Sequence, residues 1–161
     1  MADYIAKVVM LGDPAVGKTS LVRRFVNDMF NDKYLETVGA KPTKKVLKVM
    51  GNTLTLMVWD IAGHSYSLHP NYYSGAKGAL MVCDLTRRST LQSLDTWHSA
   101  LKGKSGDVPV KVLANKSDIS DWEFEPEELG DKGFAWMKTS AKTGENVEEA
   151  FQKLAEEILN A

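Results

Sequence analysis

The stretch that decides the fold reads GDPAVGKT at residues 12–19, directly after the apolar run at residues 5–11. Its spacing is G-x-x-x-x-G-K-[ST], and Leu21, Val22 and Phe25 follow at helical spacing. Glycines let the backbone curve around an anion, successive N–H groups point inward, and the start of a helix adds positive dipole charge. The segment therefore predicts a phosphate-binding loop between a strand and a helix, against the alternative of a glycine turn without a ligand.

This loop predicts a nucleotide site. Lys18 is expected to supply a positive charge for the β- and γ-phosphates, and the Thr19 hydroxyl to ligate Mg²⁺. Kinases, ATPases and GTPases all use such a loop, so the base stays undecided at this point. The residues expected to contact the nucleotide here are Asp13, Pro14, Ala15, Val16, Gly17, Lys18, Thr19 and Ser20.

The rest of the chain alternates strand-like and helix-like segments, which predicts one α/β domain over residues 1–161. We expect a mostly parallel six-stranded sheet with helices on both faces and one antiparallel edge strand, formed by a hairpin that turns at residues 51–52. The predicted strands are 5–11, 44–50, 53–60, 79–84, 108–114 and 134–138, and the predicted helices are 18–27, 91–101, 123–129 and 147–158.

Composition excludes several classes of protein. Among the 161 residues, 20 are Lys or Arg and 21 are Asp or Glu, and this balance argues against a nucleic-acid binder or a polybasic membrane anchor. The single cysteine, Cys83, lies in an apolar run and is expected to be a buried, inert thiol. The sequence has no signal peptide and no apolar run long enough to span a bilayer. We therefore expect a cytoplasmic protein whose membrane association is not encoded in this chain. We also expect it to be a monomer.

Two short polar loops identify the base. Asn115-Lys116-Ser117-Asp118 follows the fifth predicted strand, where the Asp118 carboxylate can accept from both N1–H and the 2-amino group of guanine. Asn115 can donate to the base or tie the loops together, and the stem of Lys116 can lie along the ring. The second loop, Ser140-Ala141-Lys142, can donate to the guanine oxygen while Ser140 steadies Asp118. Behind a phosphate loop, these segments favour guanine over adenine, and so disfavour an ATP-using kinase or ATPase.

With these motifs the chain resembles a Ras-superfamily small GTPase over nearly its whole length. The segment WDIAG at residues 59–63 is similar to the family's WDTAG motif, and NYYSGAKGA at 71–79 is similar to a run of the Rab branch. The resemblance implies a P-loop G domain that binds GTP or GDP with Mg²⁺, hydrolyses GTP slowly, and acts as a switch in signal transduction and vesicle trafficking.

The resemblance also assigns residues around the nucleotide. It implies that Phe30 packs edge-on against guanine, that Tyr34 closes over the phosphates, and that Thr37 ligates Mg²⁺ and senses the γ-phosphate. It further implies that Asp60 holds Mg²⁺ and that the N–H of Gly63 contacts the γ-phosphate.

These residues belong to two switch loops. The resemblance places the loops at about residues 30–40 and 61–75, ordered by the γ-phosphate, where protein effectors and regulators engage. Tyr66, Tyr72 and Tyr73 are expected to be exposed there as partner contacts, whereas Trp97 is expected to face the core.

One departure bears on hydrolysis. His64 stands where the family has its water-positioning glutamine, and neutral histidine can also donate and accept. We expect slow turnover in which His64 is conditionally catalytic, acting with Lys18, Thr37 and Gly63. The alternative is a nucleotide-binding interaction module with little or no intrinsic hydrolysis.

Overall fold

A computed structural model describes residues 2–27, 41–60 and 70–160 of the chain. Within those ranges, strands and helices alternate along most of the sequence. The strands are β1 (Asp3–Leu11), β2 (Lys41–Val49), β3 (Asn52–Asp60), β4 (Ala76–Asp84), β5 (Val110–Asn115) and β6 (Trp136–Lys138). The helices are α1 (Lys18–Asn27), α2 (Pro70–Tyr73), α3 (Arg88–Gln92), α4 (Leu94–Ser105), α5 (Glu127–Asp131) and α6 (Val147–Asn160).

The strands form one sheet in the order β2-β3-β1-β4-β5-β6, so β2 and β6 are its edges. β2 pairs antiparallel with β3, and every other neighbouring pair is parallel. The predicted α/β architecture with one antiparallel edge strand is thereby confirmed. β1 lies between β3 and β4, where the strand order reverses, and in such sheets ligands bind at the carboxyl ends of the strands around this point.

Helices cover both faces of the sheet. Successive strand residues point to opposite sides, so each face has buried side chains of its own that pack against helices. Val8 and Val9 are both fully buried, but Val8 belongs to the core under α1 and α6, and Val9 to the core under α3 and α4. In the first core Phe25 stacks on Phe151 with ring centroids 3.9 Å apart. In the second, Trp97 is 2% exposed, which confirms its predicted core position.

The hairpin turn lies one residue earlier than predicted. Val49 pairs with Asn52, so the two turn residues are Met50 and Gly51 rather than residues 51–52. Both have positive φ, 50° and 80°, as a two-residue turn that matches the twist of its strands requires. Asn52, the expected turn former, instead uses its side-chain oxygen to accept from the main-chain N–H of Ala2.

The predicted helix at residues 123–129 was wrong at its start. The helix is α5, which begins at Glu127 directly after Pro126. A proline disfavours helical conformation in the residue before it, so the helix does not extend back through Glu125. The predicted helix at 91–101 is divided into α3 and α4 at Ser93. Among the described residues, no helix has both the length and the apolar composition needed to cross a bilayer.

Candidate nucleotide-binding site

Polar residues stand at the carboxyl ends of three strands of the sheet. Asp60 ends β3, Asp84 ends β4 and Asn115 ends β5, while the phosphate loop follows β1 between them. All three side chains are buried, with exposed fractions of 7%, 1% and 2%. Buried polar groups need partners, and the contacts of these three residues build the site.

Two glycines allow the phosphate loop to pass close to its neighbours. A Cβ on Gly12 would lie 2.4 Å from the carbonyl oxygen of Val82, and one on Gly17 would lie 2.3 Å from Nδ2 of Asn115. Both glycines also have positive φ, 143° and 107°. The first and last glycines of the motif are therefore required both by space and by backbone conformation.

Between them, Ala15 adopts a left-handed conformation with φ 64°. A residue with a Cβ pays about 1–2 kcal/mol for this conformation. The carbonyls on either side are each fixed by a distant side chain. Nη2 of Arg87 donates to the Pro14 carbonyl at 2.8 Å, and Nδ2 of Asn115 donates to the Val16 carbonyl at 2.9 Å.

Lys18 lies under the loop. Its ammonium donates to the carbonyls of Gly12 at 2.8 Å and Asp13 at 3.0 Å. Burial lowers the pKa of Lys18 to about 8, although the carboxylates of Asp60 and Asp13 act in the opposite direction. A phosphate anion beside this ammonium would stabilise its charge, so the desolvated lysine suits the role predicted for it.

Thr19 and Asp60 contact each other directly. The Thr19 hydroxyl donates to Oδ2 of Asp60 at 2.7 Å. Oδ1 of Asp60 is buried and has no hydrogen-bond partner among the described residues, and burial raises the pKa of this carboxyl. Mg²⁺ prefers hydroxyl and carboxylate oxygens, and it would satisfy the orphaned oxygen. Thr19 and Asp60 therefore fit the ion that the family implies.

Asn115 joins the phosphate loop to the two base loops, which are the polar loops at residues 115–118 and 140–142. Besides its bond to Val16, its Oδ1 accepts from the Thr139 hydroxyl at 3.0 Å. Of the two roles left open for Asn115, the structure shows the loop tie. The Ser140 hydroxyl donates to Oδ1 of Asp118 at 2.7 Å, which confirms that Ser140 steadies Asp118. A further link joins the two loops, where the Ser117 hydroxyl donates to Oε1 of Glu145.

Sequence reasoning missed Asp84 and Arg87. Oδ2 of Asp84 lies 2.8 Å from Nζ of Lys116 and 3.1 Å from Nε of Arg87, and Oδ1 accepts from the Thr86 hydroxyl. Burial alone would raise the pKa of the Asp84 carboxyl, but hydrogen bonds from Lys116 and Thr86 hold it below its ordinary value. The sequence signal that could have identified Asp84 is its position as a carboxylate at the end of the apolar run of β4.

The remaining predicted residues are distributed as follows. Oδ1 of Asp13 accepts from Nε1 of Trp97 at 3.1 Å, so this carboxylate faces the α4 side of the sheet. Val16 and Ala141 are buried, whereas Pro14 and Lys142 are exposed and Ser20 is half-buried in α1. The predicted residues that lie outside the described ranges are Phe30, Tyr34, Thr37, Gly63, His64 and Tyr66.

The prediction that Tyr72 and Tyr73 are exposed partner contacts was wrong. Their exposed fractions are 3% and 1%. The Tyr72 hydroxyl, which has one proton to donate, lies within hydrogen-bond distance of two carbonyl oxygens, 2.9 Å from that of Met10 in β1 and 2.6 Å from that of Trp59 in β3. The aromatic pair therefore anchors α2 to the sheet.

Taken together, a phosphate loop at the reversal point of a parallel sheet, with two base loops at adjacent strand ends, defines a P-loop nucleotide-binding domain. Comparison with known proteins narrows this class. The family model described as Ras family matches residues 7–160. The chain is 37% identical to Ras-related protein RABA1b of Arabidopsis thaliana over 97% of its length and 76% of that protein's.

Two animal relatives show the same degree of similarity. Ras-related protein Rab-8B of Homo sapiens is 34% identical, with 98% of this chain and 80% of that protein aligned. Ras-related protein Rab-7L1 of Rattus norvegicus is 37% identical, with 98% of this chain and 84% of that protein aligned. The chain belongs to the Ras family of small GTPases, as the sequence motifs predicted, and its relatives are Rab-related.

Proposed function

We propose that this protein is a guanine-nucleotide-dependent switch that binds GTP or GDP with Mg²⁺ and hydrolyses GTP slowly. The observation that carries the proposal is the Ser140 bond to Asp118, which orients the carboxylate of the loop that follows β5. The oriented carboxylate suits the paired N1–H and 2-amino donors of guanine, which adenine does not offer.

The loop and the end of β3 handle the phosphates. Loop N–H groups and the start of α1 would surround the phosphate oxygens, and the Lys18 ammonium would turn from the carbonyls of Gly12 and Asp13 towards the anion. Thr19, Asp60 and Thr37 would hold Mg²⁺, which neutralises phosphate charge when bound. The Thr19–Asp60 contact supports this assignment for two of the three residues.

We propose that His64 positions the attacking water and that its replacement of the usual glutamine makes hydrolysis slow. Lys18, Thr37 and Gly63 would contact the γ-phosphate. A neutral imidazole can accept a hydrogen bond from the attacking water at one nitrogen and donate at the other, but it places these two atoms differently from the usual glutamine amide. His64→Gln should therefore raise single-turnover GTP hydrolysis, and His64→Ala should lower it. Equal rates for all three proteins would remove His64 from the reaction.

The loops at about 30–40 and 61–75 would respond to the γ-phosphate and engage effectors and regulators, in vesicle trafficking as the Rab-like motifs imply. Hydrogen exchange tests this assignment. Protection of these two ranges should differ between the GDP complex and the complex with a non-hydrolysable GTP analogue, while β1 and β5 should not change. Identical exchange in both complexes would contradict a switch.

The first experiment on the base is to denature the purified protein and chromatograph the nucleotide released. GDP or GTP is the expected product, and an adenine nucleotide would overturn the proposal. Asp118→Asn should weaken GDP binding and favour xanthosine diphosphate. The matched control is Asp121→Asn, because Asp121 is exposed nearby and its φ of 64° suits asparagine. Unchanged base preference in Asp118→Asn would exclude Asp118 from the site.

A further inference from the structure

The strained residue of the phosphate loop is held from both sides. Ala15 has φ 64°, a conformation that residues with a Cβ keep only when the surroundings enforce it. The carbonyl of the following residue, Val16, accepts from Asn115, which belongs to the base loop. The carbonyl before it, that of Pro14, accepts from Arg87, which lies just before α3 and 73 residues away in sequence. No motif of the nucleotide site includes Arg87.

Arg87 is itself firmly anchored. Its Nε lies 3.1 Å from Oδ2 of Asp84, while its Nη2 reaches the Pro14 carbonyl at 2.8 Å, so the planar guanidinium spans two fixed acceptors. Asp84 is 1% exposed and is also bonded by Thr86 and Lys116. One buried carboxylate thus connects the phosphate loop, through Arg87, to the lysine of the base loop.

We propose that Arg87 is a positioning residue for nucleotide retention, which holds the Pro14 carbonyl so that Ala15 keeps the left-handed conformation of the phosphate cradle. The proposal rests on the function proposed above, since it concerns how long the nucleotide stays bound. When Arg87 is replaced, the buried Asp84 carboxylate keeps its contacts with Lys116 and Thr86, so the bond that Arg87 alone supplies is the one to the Pro14 carbonyl. The effect of Arg87 must therefore come through Pro14 and the loop, which makes it separable from ordinary surface charge.

The test is the dissociation rate of fluorescent GDP from the full chain, measured by displacement with excess GDP. Arg87→Ala should accelerate release about tenfold, the effect of losing one charge-assisted hydrogen bond. Arg88→Ala is the matched control: Arg88 is the next residue and pairs with Glu128 on α5 instead. It should release GDP within about twofold of the wild-type rate.

Ala15→Gly supplies the decisive comparison. Glycine adopts positive φ without a Cβ penalty, so the loop no longer depends on Arg87 to keep its shape. In the Ala15→Gly background, Arg87→Ala should therefore accelerate release less than about threefold. Arg87→Lys should fall between wild type and Arg87→Ala, since one ammonium cannot span both acceptors as the guanidinium does.

The outcomes separate the two proposals. If the wild-type chain retains no fluorescent GDP, the proposed function fails. If it retains GDP but Arg87→Ala releases it at the wild-type rate, Arg87 has no positioning role. An equal acceleration with alanine or glycine at position 15, or an equal acceleration by Arg88→Ala, would also overturn the proposal. Thermal unfolding of each variant, measured without added nucleotide, distinguishes faster release from general destabilisation.

Discussion

The tie that Asn115 makes between the phosphate loop and the base loops predicts a large effect of Asn115→Ala on nucleotide binding. The substitution removes the bond to the Val16 carbonyl at 2.9 Å and the bond from the Thr139 hydroxyl at 3.0 Å. Asn115 is 2% exposed, so water does not readily replace either bond. A buried group left without its partner costs about 1–3 kcal/mol, and relaxation of the Thr139 hydroxyl reduces the second cost, which gives a total of about 3 kcal/mol.

Because Val16 belongs to the phosphate loop, much of this energy should be lost from binding. About 3 kcal/mol corresponds to roughly a hundredfold weaker affinity for GDP. Equilibrium titration with fluorescent GDP measures it. The matched control is Thr139→Val, which removes only the second bond and should cost about 1 kcal/mol, or about fivefold. GDP affinity of Asn115→Ala within threefold of wild type would refute the reasoning that this amide transmits loop geometry to the nucleotide.

Three further predictions concern the frame of the fold. Burial, together with the adjacent Asp84 charge, raises the pKa of Cys83 to about 12. Iodoacetamide at pH 8 should therefore label this thiol only after the protein unfolds. Prompt labelling of the native protein would contradict the burial of Cys83. Met50→Asn should raise the free energy of unfolding in urea by about 0.5–1 kcal/mol, because asparagine tolerates the positive φ of the turn; no gain would mean that the turn is not strained. Tyr72→Phe should lower the free energy of unfolding by about 1–2 kcal/mol, because it removes a buried hydroxyl whose one proton is shared between two nearby carbonyls. A neutral result would show that this hydroxyl is dispensable.

Local sequence predicted the parts of the fold that depend on backbone conformation and periodicity. The glycines at 12 and 17 fix the loop, because a side chain at either position would overlap a neighbour. Alternation in β3, where Leu54, Leu56 and Val58 are fully buried, fixed which face meets the core. Both signals lie within a few residues, so no knowledge of distant segments was needed.

Contacts between distant segments were not predictable in this way. In the sequence, nothing distinguishes Arg87 from an ordinary surface arginine. Only the pairing of β1 with β4 brings Pro14 within its reach. Tyr72 likewise has the sequence context of an aromatic residue in a loop. Only the packing of α2 against the sheet turns its hydroxyl towards Met10 and Trp59. The position of the hairpin turn depended on the register of two strands rather than on the turn residues themselves.

The two edges of the sheet affect how the protein behaves at high concentration. An open strand edge exposes unpaired N–H and C=O groups to which another chain can add. β6, at one edge, is only three residues long. β2, at the other, carries Pro42, which has no N–H to donate, and the lysines Lys44, Lys45 and Lys48. Two copies approaching edge to edge would bring these charges together, so the fold resists aggregation through the edge that β2 forms.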